Sequence, residues 1–428
     1  MAELKFDAVL FDLDGTLTES GTGITRSAAY ALEKLGAEPL DEATLMKFVG
    51  PPLFESFMKY GRLNEEKALE AVRLYRERYS VIGWKENRVY TGIAELVRTL
   101  KAQGAYIALA SSKPQHFCEQ ILEYFGLAKH FDAVCAITPE DHHADKAATV
   151  RKAIAGAGEG KNICMVGDRL FDVEGAHANG IHAIGVAYGY GSREELENAG
   201  ADDVADTVAD LRKILLGDAP VEEGVFITFE GGDGCGKSTQ LKLAGEYLAE
   251  RGYDVVLTRE PGGCAISERI RDLVLDIRAQ GMTDACEALL FAAARVQVIT
   301  DTILPALKAG KIVLCDRYVD SSFAYQAHGR ELGEDFIRQI NAQATEKLMP
   351  VRTLLYELDE EKALGRMRGA GELDRIEVER GEFTRRVETA FREMAEKQPE
   401  RFIRINADGG IEEVFEQTKA AMDAIFFA

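Results

Sequence analysis

Val225–Gln240 reads VFITFEGGDGCGKSTQ. Its first residues form an apolar run of the kind that buries as a parallel strand. Gly231, Gly236, Lys237 and Ser238 then satisfy G-x-x-x-x-G-K-[ST], and a helical pattern opens behind them. Glycine-rich backbone can wrap a polyphosphate with its N–H groups, and the helix N-terminus adds partial positive charge. Lys237 would reach the outer phosphates and Ser238 would offer a hydroxyl to Mg²⁺. A chance glycine turn is the competing account, and the strand in front and helix behind tell against it. The loop lies just past the middle of the chain, so an independent unit is expected before it.

At 428 residues the chain exceeds one ordinary core. Its 46% hydrophobic and 29% charged residues suit a water-soluble globular protein. No secretory leader is legible, and no apolar run is expected to reach the roughly twenty residues that cross a bilayer. The seven cysteines contain no C-x-x-C pair, so neither a disulfide framework nor a zinc site is expected, and the expected location is the cytoplasm. A net charge of −21 argues against a nucleic-acid polymer as partner. Small phosphorylated substrates stay possible if local arginines, lysines or Mg²⁺ meet them.

In the first half, the apolar run Phe6–Leu13 ends in Asp12-Leu13-Asp14-Gly15-Thr16. Carboxylates at i and i+2 off a strand end point the same way, and their repulsion calls for a cation or a shared proton. Three more apolar or helical segments end or begin in polar residues: Ser111-Ser112-Lys113, Lys146, and Asp168-Arg169-Leu170-Phe171-Asp172 behind Gly167.

These four motifs, in this order, resemble the haloacid dehalogenase-like phosphatases. The resemblance implies a Rossmann-like parallel-sheet core and an aspartyl-phosphate route. Asp12 would be the nucleophile and Asp14 the general acid and base. Ser111 and Lys146 would grip the phosphoryl group. Asp12, Asp14, Asp168 and Asp172, with the Leu13 carbonyl, supply the candidate Mg²⁺ donors, Asp172 either directly or in support. Helical periodicity over 22–35, 41–48, 51–60 and 64–80 implies an inserted cap at about 18–88, with Gly50-Pro51-Pro52-Leu53 facing the site. Tyr188-Gly189-Tyr190-Gly191 looks like the nucleotidase and phosphoglycolate-phosphatase branch. The organic part of the phosphomonoester is not legible.

Residues 217–223 carry Gly, Pro and acid without apolar pattern, so domains are expected at 1–216 and 224–428. In the second, Thr258-Arg259-Glu260-Pro261-Gly262, the run from Glu287 through Phe291 to Arg295, and Asp316-Arg317 with Ser321, Tyr325 and Gln326 follow the glycine loop. Together they resemble bacterial thymidylate kinases, a P-loop nucleoside monophosphate kinase fold. The resemblance implies ATP on Gly231, Gly232, Asp233, Gly234, Cys235, Gly236, Lys237, Ser238 and Thr239. It implies dTMP on Asp233, Arg259, Glu260, Phe291, Arg295, Arg317, Ser321, Tyr325 and Gln326, with Phe291 stacked on the base and Arg295 at its edge. Ser238 and Asp316 would hold Mg²⁺, and Lys237 and Arg317 would act on phosphates. Gly234 and Cys235 stand where some members carry a catalytic arginine, so Arg366, Arg368 or Arg375 would supply it. Members of this family pair into homodimers, and the same is expected here.

Overall fold

The computed structural model describes residues 4–138, 146–217, 223–345, 348–367, 375–376, 379 and 381–427. It divides into two compact units, Met1–Pro220 with Glu250–Tyr253, and Val221–Ala249 with Asp254–Ala428. Most of the expected boundary segment, and Arg368, lie outside the described residues.

The first unit is built on six parallel strands: β1 (Ala8–Phe11), β2 (Tyr106–Pro114), β3 (Ala133–Ile137), β4 (Ile163–Gly167), β5 (His182–Val186) and β6 (Asp203–Ala205). Their order is β3-β2-β1-β4-β5-β6. β1 lies between β2 and β4, with Leu10 opposite Ala108 and Met165. Apolar β1 is fully buried, as a central strand covered on both faces must be. In-register parallel pairing carries the C-terminal ends of β1, β2 and β4 to one sheet edge, where ligands collect in open α/β sheets.

The helices Gly21–Lys34, Glu42–Met46, Leu53–Lys59 and Glu65–Tyr79 interrupt this core between β1 and β2, as their periodicity predicts. They have a core of their own around Ala28, Phe48, Phe57 and Ala71. Asn64 caps the last of them by accepting the Lys67 N–H, and Asp41 caps Glu42–Met46 through Thr44.

The second unit has five parallel strands: β7 (Phe226–Gly231), β8 (Val255–Arg259), β9 (Ile312–Asp316), β10 (Arg352–Glu357) and β11 (Phe402–Asn406). Their order is β11-β10-β7-β9-β8. β7 is central, and Phe229 pairs with Asp316, so the glycine loop and the acid at the end of β9 emerge side by side. The segment Asp284–Lys308 corrects one expectation, because by length and composition it is long and apolar enough to cross a membrane. Its π-helical turn Ile299–Ile303 keeps it continuous. It packs on the helices Ala265–Leu275 and Glu334–Thr345 and bears Glu287, Phe291 and Arg295 on one face, at intervals of four.

Leu10 is fully buried in the core that underlies the first unit's sheet. Leu10→Ala should therefore cost about 2–5 kcal/mol by leaving a cavity. Urea unfolding of the chain, followed with probes in the first unit, measures this.

Candidate functional sites

At the carboxyl edge of the first sheet, Lys146 begins the helix Lys146–Ala157. Its ammonium lies 2.6 Å from Asp12 Oδ1 and 2.5 Å from Asp172 Oδ1. Asp12, Asp168 and Asp172 bring one carboxylate oxygen each within 4.8 Å of one another. Burial works against the charge on Lys146, yet Asp12 and Asp172 hold its pKa above the ordinary lysine value. Burial raises the Asp12 carboxyl to about 6, with Lys146 pulling the other way and Asp172 adding to the rise. Asp168 is pushed well up by burial and by the charges of Asp172 and Asp12. Its Oδ1 is buried without a hydrogen-bond partner. An orphaned carboxylate oxygen among crowded acids is what a divalent cation would satisfy, so these residues fit Mg²⁺.

Two expected donors behave differently. The Leu13 carbonyl accepts the N–H groups of Thr16, Leu17 and Thr18, so it is turned into the tight bend and away from a cation. The Asp14 carboxylate stands outside the acid cluster because Lys113 claims both its oxygens, at 2.9 and 3.0 Å. Asp172 accepts the Arg169 N–H at 3.0 Å with Oδ2 while Oδ1 holds Lys146, which favours the supporting role. Ser111 is buried at the β2 end, and the cap loop arrives as expected, with the Val49 carbonyl 3.4 Å from Arg169 Nη1. Lys113 was not assigned a role from the sequence. Its nearness to Ser111 in a Ser-Ser-Lys run was the available signal. Gly15 is required here: φ is +84°, and a β-carbon would collide with Asp168.

In the second unit, a cavity of about 640 Å³ opens beyond the ends of β7, β8 and β9. Lys237, Arg259 and Arg317 line it together with Phe291, Tyr325 and Gln326. Ser238 Oγ donates to Asp316 Oδ2, so a hydroxyl and a carboxylate meet where the sequence placed a Mg²⁺ pair. Lys237 donates to the Gly232 carbonyl at 3.3 Å. Arg317 has φ +69°, a left-handed conformation unusual for a side chain of its size. Its N–H donates to Phe229, and its guanidinium to Asp233, the Gly231 carbonyl, Ser321 and Tyr325. Such over-determined strain is characteristic of working positions. Burial opposes the Asp233 charge, but Arg317 and Lys237 bring its carboxyl below the usual range. Tyr325 and Gln326 sit on a π-helical stretch, Phe323–Gly329, a geometry common at functional sites.

Arg295 is 1% exposed. It donates to Glu260 at 2.7 Å, Ser322 at 3.0 Å, Asn341 at 2.5 Å and the Tyr318 carbonyl at 3.2 Å. A guanidinium has five N–H groups; these contacts use four of them, and Arg295 also lines the cavity. Half-buried Phe291 lines the same cavity. Arg259 pairs with Glu268 at 2.9 Å on the surface side. Of the three candidate catalytic arginines, the two described ones, Arg366 and Arg375, separate. Arg366 donates to the Ala407 and Gly409 carbonyls, beside the Cys235 carbonyl of the glycine loop. Arg375 is buried against Glu287 at 2.6 Å and the Val274 carbonyl at 2.9 Å, a pinned position rather than a free loop. Glu287, unassigned from the sequence, also accepts from Gln326 at 2.9 Å and from Arg330. Its spacing from Phe291 and Arg295 was the signal for it.

Two family models match the chain: "Haloacid dehalogenase-like hydrolase" over residues 9–186 and "Thymidylate kinase" over 229–418. A thymidylate kinase of an Exiguobacterium species is 47% identical over 189 residues, covering 44% of this chain and 89% of that protein. A 5′-nucleotidase of Pseudomonas aeruginosa is 40% identical over 215 residues, covering 50% of this chain and 97% of that protein. Among solved structures, a predicted phosphatase from Clostridium acetobutylicum shows 43% identity and a TM-score of 0.45 over 49% of this chain and 97% of that one.

Two buried acids of the second unit make its stability depend on pH. Burial, with Asp320 adding, raises Glu230 to about 8, and burial raises Glu260 to about 7 against the pull of Arg295. A raised carboxyl favours the fold while protonated, so its stabilisation is complete below the ordinary glutamate value of 4.5 and is lost as pH climbs through 7 and 8. The urea midpoint of the second unit should fall between pH 5 and 8.5, and Glu230→Gln should flatten the upper part of that decline.

Proposed function

The chain belongs to two families at once, the haloacid dehalogenase-like hydrolases through its first unit and the thymidylate kinases through its second, and on that premise we propose a bifunctional enzyme. The second unit would phosphorylate dTMP to dTDP with ATP. The first would hydrolyse a phosphomonoester, with a nucleoside monophosphate as the substrate class. Residues 1–216 and 224–428 are assigned to the two activities.

The cavity that joins Lys237, Arg259 and Arg317 to Phe291 and Tyr325 carries the kinase reading. Cationic groups at one end suit two phosphate chains, and aromatic walls suit a base. Arg317 clamps the acceptor phosphate, since Asp233 and Tyr325 already hold its fork in place. Tyr325 and Asp233 lie against the sugar, and Arg295 faces the base edge. Lys237 and the glycine-loop amides bind the donor phosphates, with Arg366, of the two described candidate arginines, the one beside the loop. Mg²⁺ on Ser238 and Asp316 would neutralise phosphate charge.

The Lys146 ammonium between Asp12 and Asp172, beside Asp168, carries the phosphatase reading. Asp12 attacks phosphorus, and the aspartyl-phosphate forms as the substrate oxygen leaves with a proton from Asp14. Asp14 then takes a proton from water, whose oxygen attacks the aspartyl-phosphate and frees Asp12. Lys146 and Ser111 hold the phosphoryl oxygens. Mg²⁺ on Asp12 and Asp168 would offset the carboxylate crowding. The nucleotide class rests on the fusion and on the 5′-nucleotidase similarity, and the intact set Asp12, Asp14, Lys146 and Asp168 speaks against a non-catalytic module. We place the enzyme in the cytoplasm as a homodimer formed through its kinase unit.

Lys237→Ala should lower ADP formation with dTMP by on the order of 10²-fold or more; an unchanged rate would overturn the phosphate-site assignment. Asp12→Asn should remove phosphate release from an aryl phosphate by on the order of 10³-fold. Screening Lys237→Ala chain on dTMP, other nucleotides and 2-phosphoglycolate then decides the substrate class, and preference for phosphoglycolate refutes the nucleotide assignment.

A further inference from the structure

The loop Tyr188-Gly189-Tyr190-Gly191 follows β5 and has no part in the chemistry above. It lies directly on Asp168: the Tyr190 N–H donates to Asp168 Oδ2 at 2.8 Å, and a β-carbon at Gly189 or Gly191 would run into Asp168. The Tyr190 hydroxyl faces the other way. It accepts the Gly21 N–H at 2.5 Å, and Gly21 is the first residue of the helix Gly21–Lys34, where the chain enters the cap. The Tyr190 ring packs on the cap core. One residue therefore holds a candidate metal acid with its backbone and the cap hinge with its side chain. Arg169, the neighbour of Asp168, adds a parallel tie: its Nε is fixed by Glu195 at 2.8 Å, and its Nη1 reaches the Val49 carbonyl of the cap loop.

We propose that Tyr190 is a positioning residue that couples seating of the helical cap to the orientation of the Asp168 carboxylate. The Tyr190 N–H fixes Oδ2, and that leaves Oδ1, which is buried and without a hydrogen-bond partner, as the oxygen presented to a cation. Displacing the hinge pulls on the hydroxyl and so on the loop whose amide sets that orientation. Coupling between two sites is reciprocal. A cation on Asp168 must then tighten the hinge by the same factor by which a seated cap tightens cation binding. This inference rests on the assignment of Asp168 as a metal acid.

The test is hydrogen–deuterium exchange on the full chain, titrated with Mg²⁺, following peptides that span residues 10–24 and 164–192. In the parent, Mg²⁺ should slow exchange in both peptides with one midpoint. Tyr190→Phe keeps the ring and the N–H and removes only the hydroxyl. It should speed hinge exchange about tenfold, abolish the Mg²⁺ response of residues 10–24, and raise the midpoint in 164–192 by roughly threefold, as expected for a lost hydrogen bond. Tyr188→Phe is the comparison, because that hydroxyl donates to the Thr16 carbonyl at 3.0 Å and is not tied to the cap. If both variants shift the midpoint alike, the loop is only a general support and the proposal fails. If the parent responds and Tyr190→Phe matches it in both peptides, the coupling is refuted while the metal assignment stands. A parent whose 164–192 peptide ignores Mg²⁺ refutes the metal assignment, and the inference with it.

Discussion

A charge removed from water must be met by an opposite charge or by hydrogen bonds, and both units are arranged around that requirement. In the first, Lys146 is buried between Asp12 and Asp172. In the second, buried Arg295 is matched by Glu260, and Arg317 by Asp233. Removing one member of such a set strands the other in a low-dielectric interior. The pairs therefore fix the positions of their partners closely, and that precision is what phosphoryl chemistry needs.

The parallel sheet makes these meetings possible. Strand ends of one polarity deliver their following residues to one edge, so residues far apart in the chain become neighbours. Lys146 is 134 positions from Asp12, and Asp316 is 78 from Ser238. The price is crowding of like charge. Lys146 pairs with Asp12 and Asp172, and burial, together with the neighbouring carboxylates, raises the carboxyls of Asp12 and Asp168.

Much was legible from residue order. The strands before Asp12, Ser111, Asp168, Gly231 and Asp316, the cap helices, and the helix behind the glycine loop follow from apolar runs of four to eight residues and 3.6-residue periodicity. The least legible parts were contacts between segments with no shared pattern. Lys113 holds Asp14, Glu287 gathers Gln326, Arg330 and Arg375, and Tyr190 joins Asp168 to Gly21. A lone tyrosine or glutamate has no spacing that announces its partner, since that partner is chosen by packing in three dimensions.

The sequence alone determined two parallel α/β units, the order of their motifs and the residue types at each strand end, because hydrophobic period and glycine placement act over a few residues. Only the tertiary structure decided how those side chains are used. It turned the Leu13 carbonyl into its own bend, gave the Asp14 carboxylate to Lys113 and pinned Arg375 under Glu287. A donor binds whichever acceptor lies within about 3 Å, whatever its number in the chain.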